Sequence, residues 1–279
     1  MSQKELSCLP VSLYSELNAG KISIPEWSIE ARKIGFDRFD LGEGAIERYS
    51  VEELKEIRKA CVIPFHMLSA YTDFTNPDRA VREREVAAAQ DKIKKTAALG
   101  GKYIRLPGGP AYPEAVQKEA EAINWMTDCF TSCLPVAAEY GVRIVFENDS
   151  QPPSWDVPNF GFDVQRFVKI WDSLKKLDIG FNFDTGNAFF LNDWKTILLT
   201  VLDRIETIHI TDYDYRNDTL NMTVFGQGTV PVEEMLSLIR DHGFRGSIIT
   251  MEDTTFRGLE GTAASYRYTR AVCDRVFGK

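Results

Sequence analysis

Eight short β-rich runs alternate with longer helical patterns along the chain, and this alternation limits the possible folds more than any other feature. The runs cover residues 6–14, 36–41, 62–68, 103–106, 142–147, 179–184, 205–210 and 247–252. The segments between them carry helix signals, such as the capping-box spacing of Ser50 and Glu53. Eight β/α units in 279 residues are typical of a barrel closed by right-handed crossovers. The sequence therefore predicts an α/β fold, a single-domain (β/α)8 TIM barrel across residues 1–279.

An open, doubly wound parallel sheet is the main alternative fold. Such a sheet normally carries a glycine-rich phosphate-binding turn directly after its first strand. The segment SLYSELNAG at the end of the first run contains neither a GxGxxG motif nor a GxxxxGKS/T motif. The barrel is therefore the favoured prediction.

Composition and charge limit the partners. Hydrophobic residues make up 44% of the chain and charged residues 27%, as in globular proteins with a large core. The net charge of −8 would repel a phosphate backbone, so we expect no nucleic-acid partner. Residues 1–10 lack the basic start and apolar stretch of a signal peptide, and no window approaches about 18 uninterrupted apolar residues. We expect a cytoplasmic protein with no membrane contact, and its five cysteines as reduced thiols.

The last four β-rich runs end in polar side chains that share one face. Side chains alternate along a strand, so the apolar residues of these runs should pack on the helices and the mixed face should turn to the barrel axis. The inward-facing strand-end residues are Glu147, Asp184, His209 and Glu252. A single strand-end acid more often caps the next helix, and a single inward histidine is more often a core residue. Three carboxylates around one imidazole, however, would repel each other without a cation. The convergence therefore predicts a divalent metal site at the carboxyl ends of the strands.

The motifs VFENDS, FDTGN, IHITD and ITMED, in this order, carry a family resemblance. With the segment FGQGTVPVEEMLSLIRDHGFRG, they make the chain similar, over nearly its whole length, to the xylose-isomerase-like TIM barrels typified by the ketose 3-epimerases. The resemblance implies that one divalent ion, Mn²⁺, Mg²⁺, Co²⁺ or Zn²⁺, is bound by Glu147, Asp184, His209 and Glu252. It also implies that Glu147 and Glu252 act as the acid/base pair.

The resemblance also suggests substrate-binding residues. Asn187 stands where many members have a histidine, and its amide can bond a sugar hydroxyl but cannot titrate near neutral pH. Arg216 lies near the position of a substrate-binding arginine in some ketose epimerases. His66, placed at the end of the third strand, could contact the substrate from across the mouth. Arg105 could bind a hydroxyl or a phosphate, although a salt-bridged role is the simpler expectation. Several aromatic residues could wall the pocket, namely Trp155, Phe160, Phe189, Phe190 and Trp194.

The function implied is a divalent-metal-dependent isomerase or epimerase of a sugar, a sugar phosphate or a related polyol. Proton transfer would proceed through a metal-stabilised enediolate, with two bases able to act on opposite faces. Two alternatives stay open: a lyase that dehydrates a keto-polyol at the same site, and a barrel that binds a sugar without turnover. The resemblance allows a homo-oligomer. A trinuclear zinc endonuclease on this barrel would need more histidines than His66, His209 and His242.

Overall fold

The computed structural model describes residues 3–150, 157–216 and 219–278. In the described residues the strands are β1 Glu5–Leu9, β2 Arg38–Gly42, β3 Phe65–Ser69, β4 Tyr103–Leu106, β5 Arg143–Glu147, β6 Gly180–Asp184, β7 Ile205–Ile210, β8 Tyr213–Arg216, β9 Thr219–Met222 and β10 Ile248–Glu252. The α-helices are α1 Tyr14–Asn18, α2 Ile24–Ile34, α3 Val51–Ala60, α4 Arg79–Leu99, α5 Pro113–Gln117, α6 Glu119–Tyr140, α7 Val164–Leu174, α8 Thr185–Phe190, α9 Trp194–Val201, α10 Val232–Asp241 and α11 Gly258–Phe277. Short 3-10 helices cover Val11–Leu13, Glu43–Ala45 and Leu202–Arg204. None of these helices is long and apolar enough to cross a membrane.

Eight parallel strands close into one barrel in the order β1-β10-β7-β6-β5-β4-β3-β2, with helices in the connections. This arrangement confirms the predicted single-domain (β/α)8 TIM barrel. The remaining two strands, β8 and β9, pair antiparallel as a hairpin directly after β7. The sequence analysis did not predict this hairpin.

An aromatic cluster on the outside of β5 and β6 fixes which face of these strands turns inward. Phe146 of β5 stacks on Trp171 of α7 at 6.4 Å between ring centroids, and Phe181 of β6 contacts the same indole at 5.1 Å. All three side chains are almost completely buried. Because strand side chains alternate, burying Phe146 and Phe181 against the helices turns Glu147 and Asn182 toward the barrel axis.

A capping box sets the start of one helix, and two strands differ from their predicted bounds next to a proline. Ser50 caps α3 through the predicted capping box with Glu53. The first strand, predicted to reach Tyr14, ends at Leu9 before Pro10, and a 3-10 turn follows. The third strand begins at Phe65 and not at residue 62, because Pro64 has no N–H for the parallel ladder.

Candidate metal centre and cavity

The four predicted strand-end side chains meet at the carboxyl-terminal mouth of the barrel. They end or nearly end four neighbouring strands, β5, β6, β7 and β10. One possible ligand atom from each lies within 4.8 Å of every other. The four residues are Glu147, Asp184, His209 and Glu252, of which the first three are buried and the last is partly exposed.

The imidazole of His209 stands between two carboxylates. Its Nδ1 lies 3.0 Å from Oε1 of Glu147 and 2.9 Å from Oε2 of Glu252, but neither contact has hydrogen-bond geometry. Burial disfavours the charged imidazole, yet these two carboxylates outweigh burial and raise the pKa of His209 to about 10. An imidazole nitrogen and carboxylate oxygens this close to one another are the kind of ligand atoms that one metal ion can bind together.

The two carboxylate oxygens of Asp184 have different surroundings: one is hydrogen-bonded and the other is not. Its Oδ1 accepts hydrogen bonds from the Asn187 N–H (2.6 Å) and the Thr211 hydroxyl (2.9 Å), and so caps α8. Its Oδ2 is buried with no hydrogen-bond partner in the described structure. Burial, together with the charges of Glu252 and Glu147, raises the pKa of Asp184 well above its usual range. Asp184 thus caps a helix, as expected of a single strand-end acid, and its second oxygen is still available to a cation.

Neighbouring polar side chains hold Asp184 in place. The Asn148 amide donates to the Asp184 carbonyl (2.9 Å), and its oxygen accepts from the Asp184 N–H (3.0 Å), which continues the β5–β6 pairing beyond the strands. Thr185 and Thr211 exchange hydrogen bonds between the ends of β6 and β7. Sequence reasoning missed Asn148 and Thr211, although both directly follow predicted strands in motifs that it quoted.

The glycine of the FDTGN motif allows two strand ends to approach closely. The Gly186 N–H donates to the Thr211 hydroxyl (2.7 Å). A Cβ at this position would lie 2.3 Å from the Thr211 hydroxyl oxygen and 2.5 Å from the Tyr213 ring. Glycine is therefore required here for packing, and its φ is not in the left-handed range.

Arg105 forms the salt bridge that was its simpler expected role, and it does so next to the cluster. Its side chain is 3% exposed; its Nε lies 3.1 Å from Oε2 of Glu147 and its Nη1 3.5 Å from Oδ2 of Asp149. The guanidinium also lies over the Tyr71 ring at 4.9 Å. Burial would raise the pKa of Glu147, but Arg105, with His209, holds it below its usual value. Burial raises the pKa of Asp149 to about 7 despite the same arginine.

Asn182 is a second residue that the sequence analysis left out. It lies two positions before Asp184 on β6, and its amide donates to Oε1 of Glu147. Strand parity would have placed it on the inward face beneath the cluster. Glu147 is thus held from two sides, by Asn182 and by Arg105.

Two of the predicted substrate contacts lie away from the cavity. His66 is the second residue of β3 and not the last, because the strand runs on to Ser69. It is 3% exposed, packs edge-on against Tyr103, and is not among the described residues that line the cavity. Arg216 lies on β8 with its side chain 65% exposed and pairs with Asp214 at 2.9 Å.

The unpredicted hairpin explains the position of Arg216. Alternation puts Tyr213 and Tyr215 on one face of β8, and the pairing aligns them with Met222 and Leu220 of β9. Tyr213, Leu220 and Met222 line the cavity. Arg216 has the opposite parity and therefore turns away.

Asn187, the third predicted substrate contact, does line the cavity. Its side-chain oxygen accepts from the Ser150 hydroxyl at 2.6 Å. Tyr14 also lines the cavity, and its buried hydroxyl has no hydrogen-bond partner among the described residues. Of the aromatic residues proposed for the pocket wall, Phe190 lines it, whereas Phe160, Phe189 and Trp194 are not in the described lining. Trp155 lies outside the described residues.

The cavity above the cluster measures ≈ 680 Å³. Glu147 and Glu252 form part of its floor, so the cluster is open to whatever the cavity binds. The donor set fits a divalent ion: three carboxylates and one imidazole suit the hard and borderline metals, and the buried Oδ2 of Asp184 has no other described partner. His242, by contrast, closes α10 with Nδ1 2.9 Å from the Leu238 carbonyl.

Comparisons with known proteins agree with this description. The family model for the xylose isomerase-like TIM barrel matches residues 29–272. Among solved structures, the IolI protein with a bound zinc atom is 17% identical and superposes with a TM-score of 0.77, covering 99% of this chain and 100% of that one. D-Psicose 3-epimerase in the presence of D-fructose is 17% identical with a TM-score of 0.70, covering 99% and 100%.

A third similar structure is 3-keto-D-glucoside 4-epimerase from E. coli, which is 14% identical with a TM-score of 0.73, covering 96% of this chain and 100% of that one. A comparison with proteins of curated function gave no match. At these identities the structural likenesses show the fold, whereas the family model matches most of the sequence. The chain belongs to the xylose isomerase-like TIM barrel family.

Proposed function

We propose that the protein is a divalent-metal-dependent isomerase or epimerase of a sugar or related polyol, acting by proton transfer next to a carbonyl. The observation that carries this proposal is the convergence of four ligand atoms within 4.8 Å at the floor of the cavity. Family membership and the two sugar epimerases among the similar folds support it. When bound, the ion would supply the positive charge that stabilises an oxyanion formed by deprotonating the adjacent carbon.

Glu147 and Glu252 are the proposed acid/base pair as well as ligands. Their carboxylates lie 3.0 Å and 2.9 Å from the same imidazole nitrogen, come from different strands, and both line the cavity. Two carboxylates on different sides of a bound substrate can remove a proton from one face and return one to the other, which inverts a stereocentre. Arg105 and Asn182 would fix the position of Glu147, while Asp184 and His209 would mainly hold the ion.

The remaining cavity groups would orient the substrate. Asn187 and Tyr14 both line the cavity, and the Asn187 amide can bond sugar hydroxyls. The partly exposed Glu252, with 16% of its side chain accessible, is open to the cavity, whereas Glu147 is only 1% exposed. This asymmetry puts Glu252 on the side from which a substrate enters.

The test is solvent deuterium exchange into ketoses by Mn²⁺-loaded protein, followed by NMR. We expect exchange in the wild type and a loss of at least about a hundredfold in Glu147→Gln and Glu252→Gln. Metal content is measured in each variant, so that loss of the ion and loss of the base are separated. Glu233→Gln, on the outer surface of α10 and paired with Arg275, serves as the matched control.

Wild-type exchange in both active-site variants would refute the acid/base assignment. Loss of water from the substrate, seen as an 18-dalton decrease in mass spectra, would identify a lyase instead. Binding without any exchange would identify a sugar-binding barrel.

A further inference from the structure

The rim of the cavity differs chemically from its floor. The described residues of the rim include five large apolar side chains, here called the apolar rim: Phe162, Phe190, Leu220, Met222 and Phe256. Buried polar and charged groups lie around Glu147 and Arg105, and the exposed Asn18 and Glu47 also line the cavity. Sugar hydroxyl groups cannot pair with the apolar rim, so an apolar surface of the ligand must cover it.

The apolar rim is also unusually open to solvent. Leu220 is 39% exposed, Met222 42% and Phe256 60%. These three account for a third of the large apolar side chains that are exposed in the described residues, and they surround one cavity. A clustered exposed apolar surface usually marks a binding site, whereas single exposed apolar residues need no explanation.

The backbone of Phe256 supports the same interpretation. Its φ of 51° lies in the left-handed region, which aromatic residues rarely adopt. The Phe256 N–H donates to the Ser12 hydroxyl at 2.8 Å, and Ser12 in turn donates to the Asp253 carbonyl. The chain thus holds an aromatic side chain in solvent at the mouth of the cavity, in a conformation that glycine would adopt more easily.

The charges of the cavity disfavour a phosphorylated substrate. Arg105 is the only Lys or Arg in the described lining, and its guanidinium already faces Glu147 and Asp149. Two further acids, Glu43 and Glu47, also line the cavity. Residues 151–156 and 217–218, which the structure does not describe, contain no Lys or Arg in the sequence. Glu43 already pairs with Lys92 at 2.6 Å, so a phosphate group bound away from the metal would meet carboxylates and no unpaired Lys or Arg of the described lining.

The size of the cavity gives the last constraint. Pockets that enclose drug-sized ligands measure about 300–1,000 Å³. The ≈ 680 Å³ of this cavity falls within that range and leaves room beside a single sugar ring.

From these observations we infer that the substrate is an unphosphorylated sugar carrying an apolar, aryl-sized group, with the sugar on the floor and the apolar group against the apolar rim. If that group is attached through the anomeric carbon, the carbonyl needed for proton transfer must be a ketone elsewhere on the sugar ring. The inference rests on the proposed function for the orientation of the sugar, but its test measures binding separately from catalysis.

The test is calorimetric titration of the Mn²⁺-loaded protein with phenyl and methyl 3-keto-β-D-glucopyranoside, which differ only in the apolar group. We expect the phenyl compound to bind at least about tenfold more tightly, as burial of an aromatic ring predicts. Phe256→Ala should remove most of this difference and leave the affinity for the methyl compound within about twofold. Leu199→Ala, which shortens a 61% exposed apolar side chain on α9, is the matched control and should change neither value.

Equal affinity for the two compounds would overturn the inference. So would a phenyl advantage that survives both Phe256→Ala and Met222→Ala, or tighter binding of D-fructose 6-phosphate than of D-fructose. A second copy of this chain is the other possible occupant of the apolar rim, and sedimentation of the wild type and of Phe256→Ala tests it. A difference in oligomeric state between these two proteins would identify the apolar rim as an interface between copies of this chain.

Deuterium exchange into the same two compounds separates the two proposals. A phenyl advantage in binding without exchange keeps the inference and rejects the proposed function. Exchange into both compounds with equal affinities keeps the proposed function and rejects the inference.

Discussion

Replacing Asp184 by asparagine should stabilise the metal-free protein while abolishing its response to metal. Without a cation, the carboxylates of the buried Asp184 and Glu147 and of the partly exposed Glu252 lie around one imidazole, with ligand atoms within 4.8 Å of one another. Two like charges about 5 Å apart repel by roughly 3 kcal/mol at an effective dielectric constant near 20. The protein can avoid this by protonating Asp184, which costs about 4 kcal/mol at pH 7 for a group with an ordinary pKa near 3.9.

The change is nearly isosteric and keeps the cap. Only Oδ1 of Asp184 accepts described hydrogen bonds, so the amide oxygen can take its place and the NH₂ can occupy the position of Oδ2. We expect Asp184→Asn to raise the free energy of unfolding of the metal-free protein by about 2–4 kcal/mol at pH 7. In the melting temperature this is an increase of about 3–7 °C for a domain of this size.

The pH dependence follows from the raised pKa of Asp184. A carboxyl group whose pKa is higher in the folded state binds more protons there than in the unfolded state. It therefore lowers the free energy of unfolding: this loss is absent below the unfolded pKa and grows as the pH rises toward the folded pKa. The advantage of Asp184→Asn should therefore shrink as the pH falls toward about 4. Calorimetric melting of both metal-free proteins between pH 4 and 8 measures this.

Asp212→Asn is the matched control. Both oxygens of Asp212 accept backbone N–H groups, from Gly226 and Gly228 on one side and Val230 on the other. In Asp212→Asn the side-chain NH₂ group would face a backbone N–H and lose the hydrogen bond that the carboxylate oxygen accepts. This variant should therefore melt at a lower temperature than the wild type. If metal-free Asp184→Asn melts at or below the wild-type temperature at pH 7, electrostatic repulsion among the carboxylates does not control the stability of the cluster.

Three further predictions concern the residues that support the site. In the metal-free protein, Arg105→Gln removes the cation that faces the buried carboxylates of Glu147 and Asp149 and should cost about 3–5 kcal/mol in urea denaturation, with a smaller loss in Arg105→Lys; equal losses would contradict the charge argument. Gly186→Ala introduces a Cβ 2.3 Å from the Thr211 hydroxyl oxygen and should weaken Mn²⁺ binding about tenfold or more by calorimetry, whereas unchanged affinity would show that Asp184 tolerates the shift. Ser50→Ala removes the α3 cap and should cost about 1 kcal/mol of stability with unchanged Mn²⁺ affinity, so any loss of affinity would show that the site depends on α3.

The fold and the cluster were accessible from the sequence because they depend on short-range alternation. Eight β/α units predict closure, and the parity of Phe146 and Phe181 against the helices is enough to turn Glu147 and Asp184 inward. Each of these deductions needs only the two-residue alternation of side chains along a strand and the position of the strand in the sequence. The predicted roles of Glu147, Asp184, His209 and Glu252 as ligands stay predictions until an ion is observed.

The predictions that differ from the structure depended on where a residue lies along a strand, or on whether a segment is a loop or a strand. The prediction that His66 ends a strand is wrong: His66 is the second residue of β3, which begins at Phe65 after Pro64 and runs to Ser69. The prediction that Arg216 contacts the substrate treats its segment as a loop. The alternation in YDYRNDTLNM, with Asn-Asp between two runs, is a hairpin signal that would have put Arg216 on the outer face.

The expected salt-bridged role of Arg105 is confirmed, but its partners could not be predicted from the sequence, because Glu147 and Asp149 come from the next strand and the loop after it. An arginine near a strand end is equally compatible with a surface ion pair and with a buried one. Only the β4–β5 register, which pairs Arg105 with Val145, brings its guanidinium to Glu147.

Anomalous scattering from crystals soaked in Zn²⁺ tests the central claim most directly. One strong peak per chain is expected at the mouth of the barrel, about 2.0–2.2 Å from one atom each of Glu147, Asp184, His209 and Glu252. A saturated crystal with no peak there, or with an ion that excludes any of these four side chains, would contradict the account.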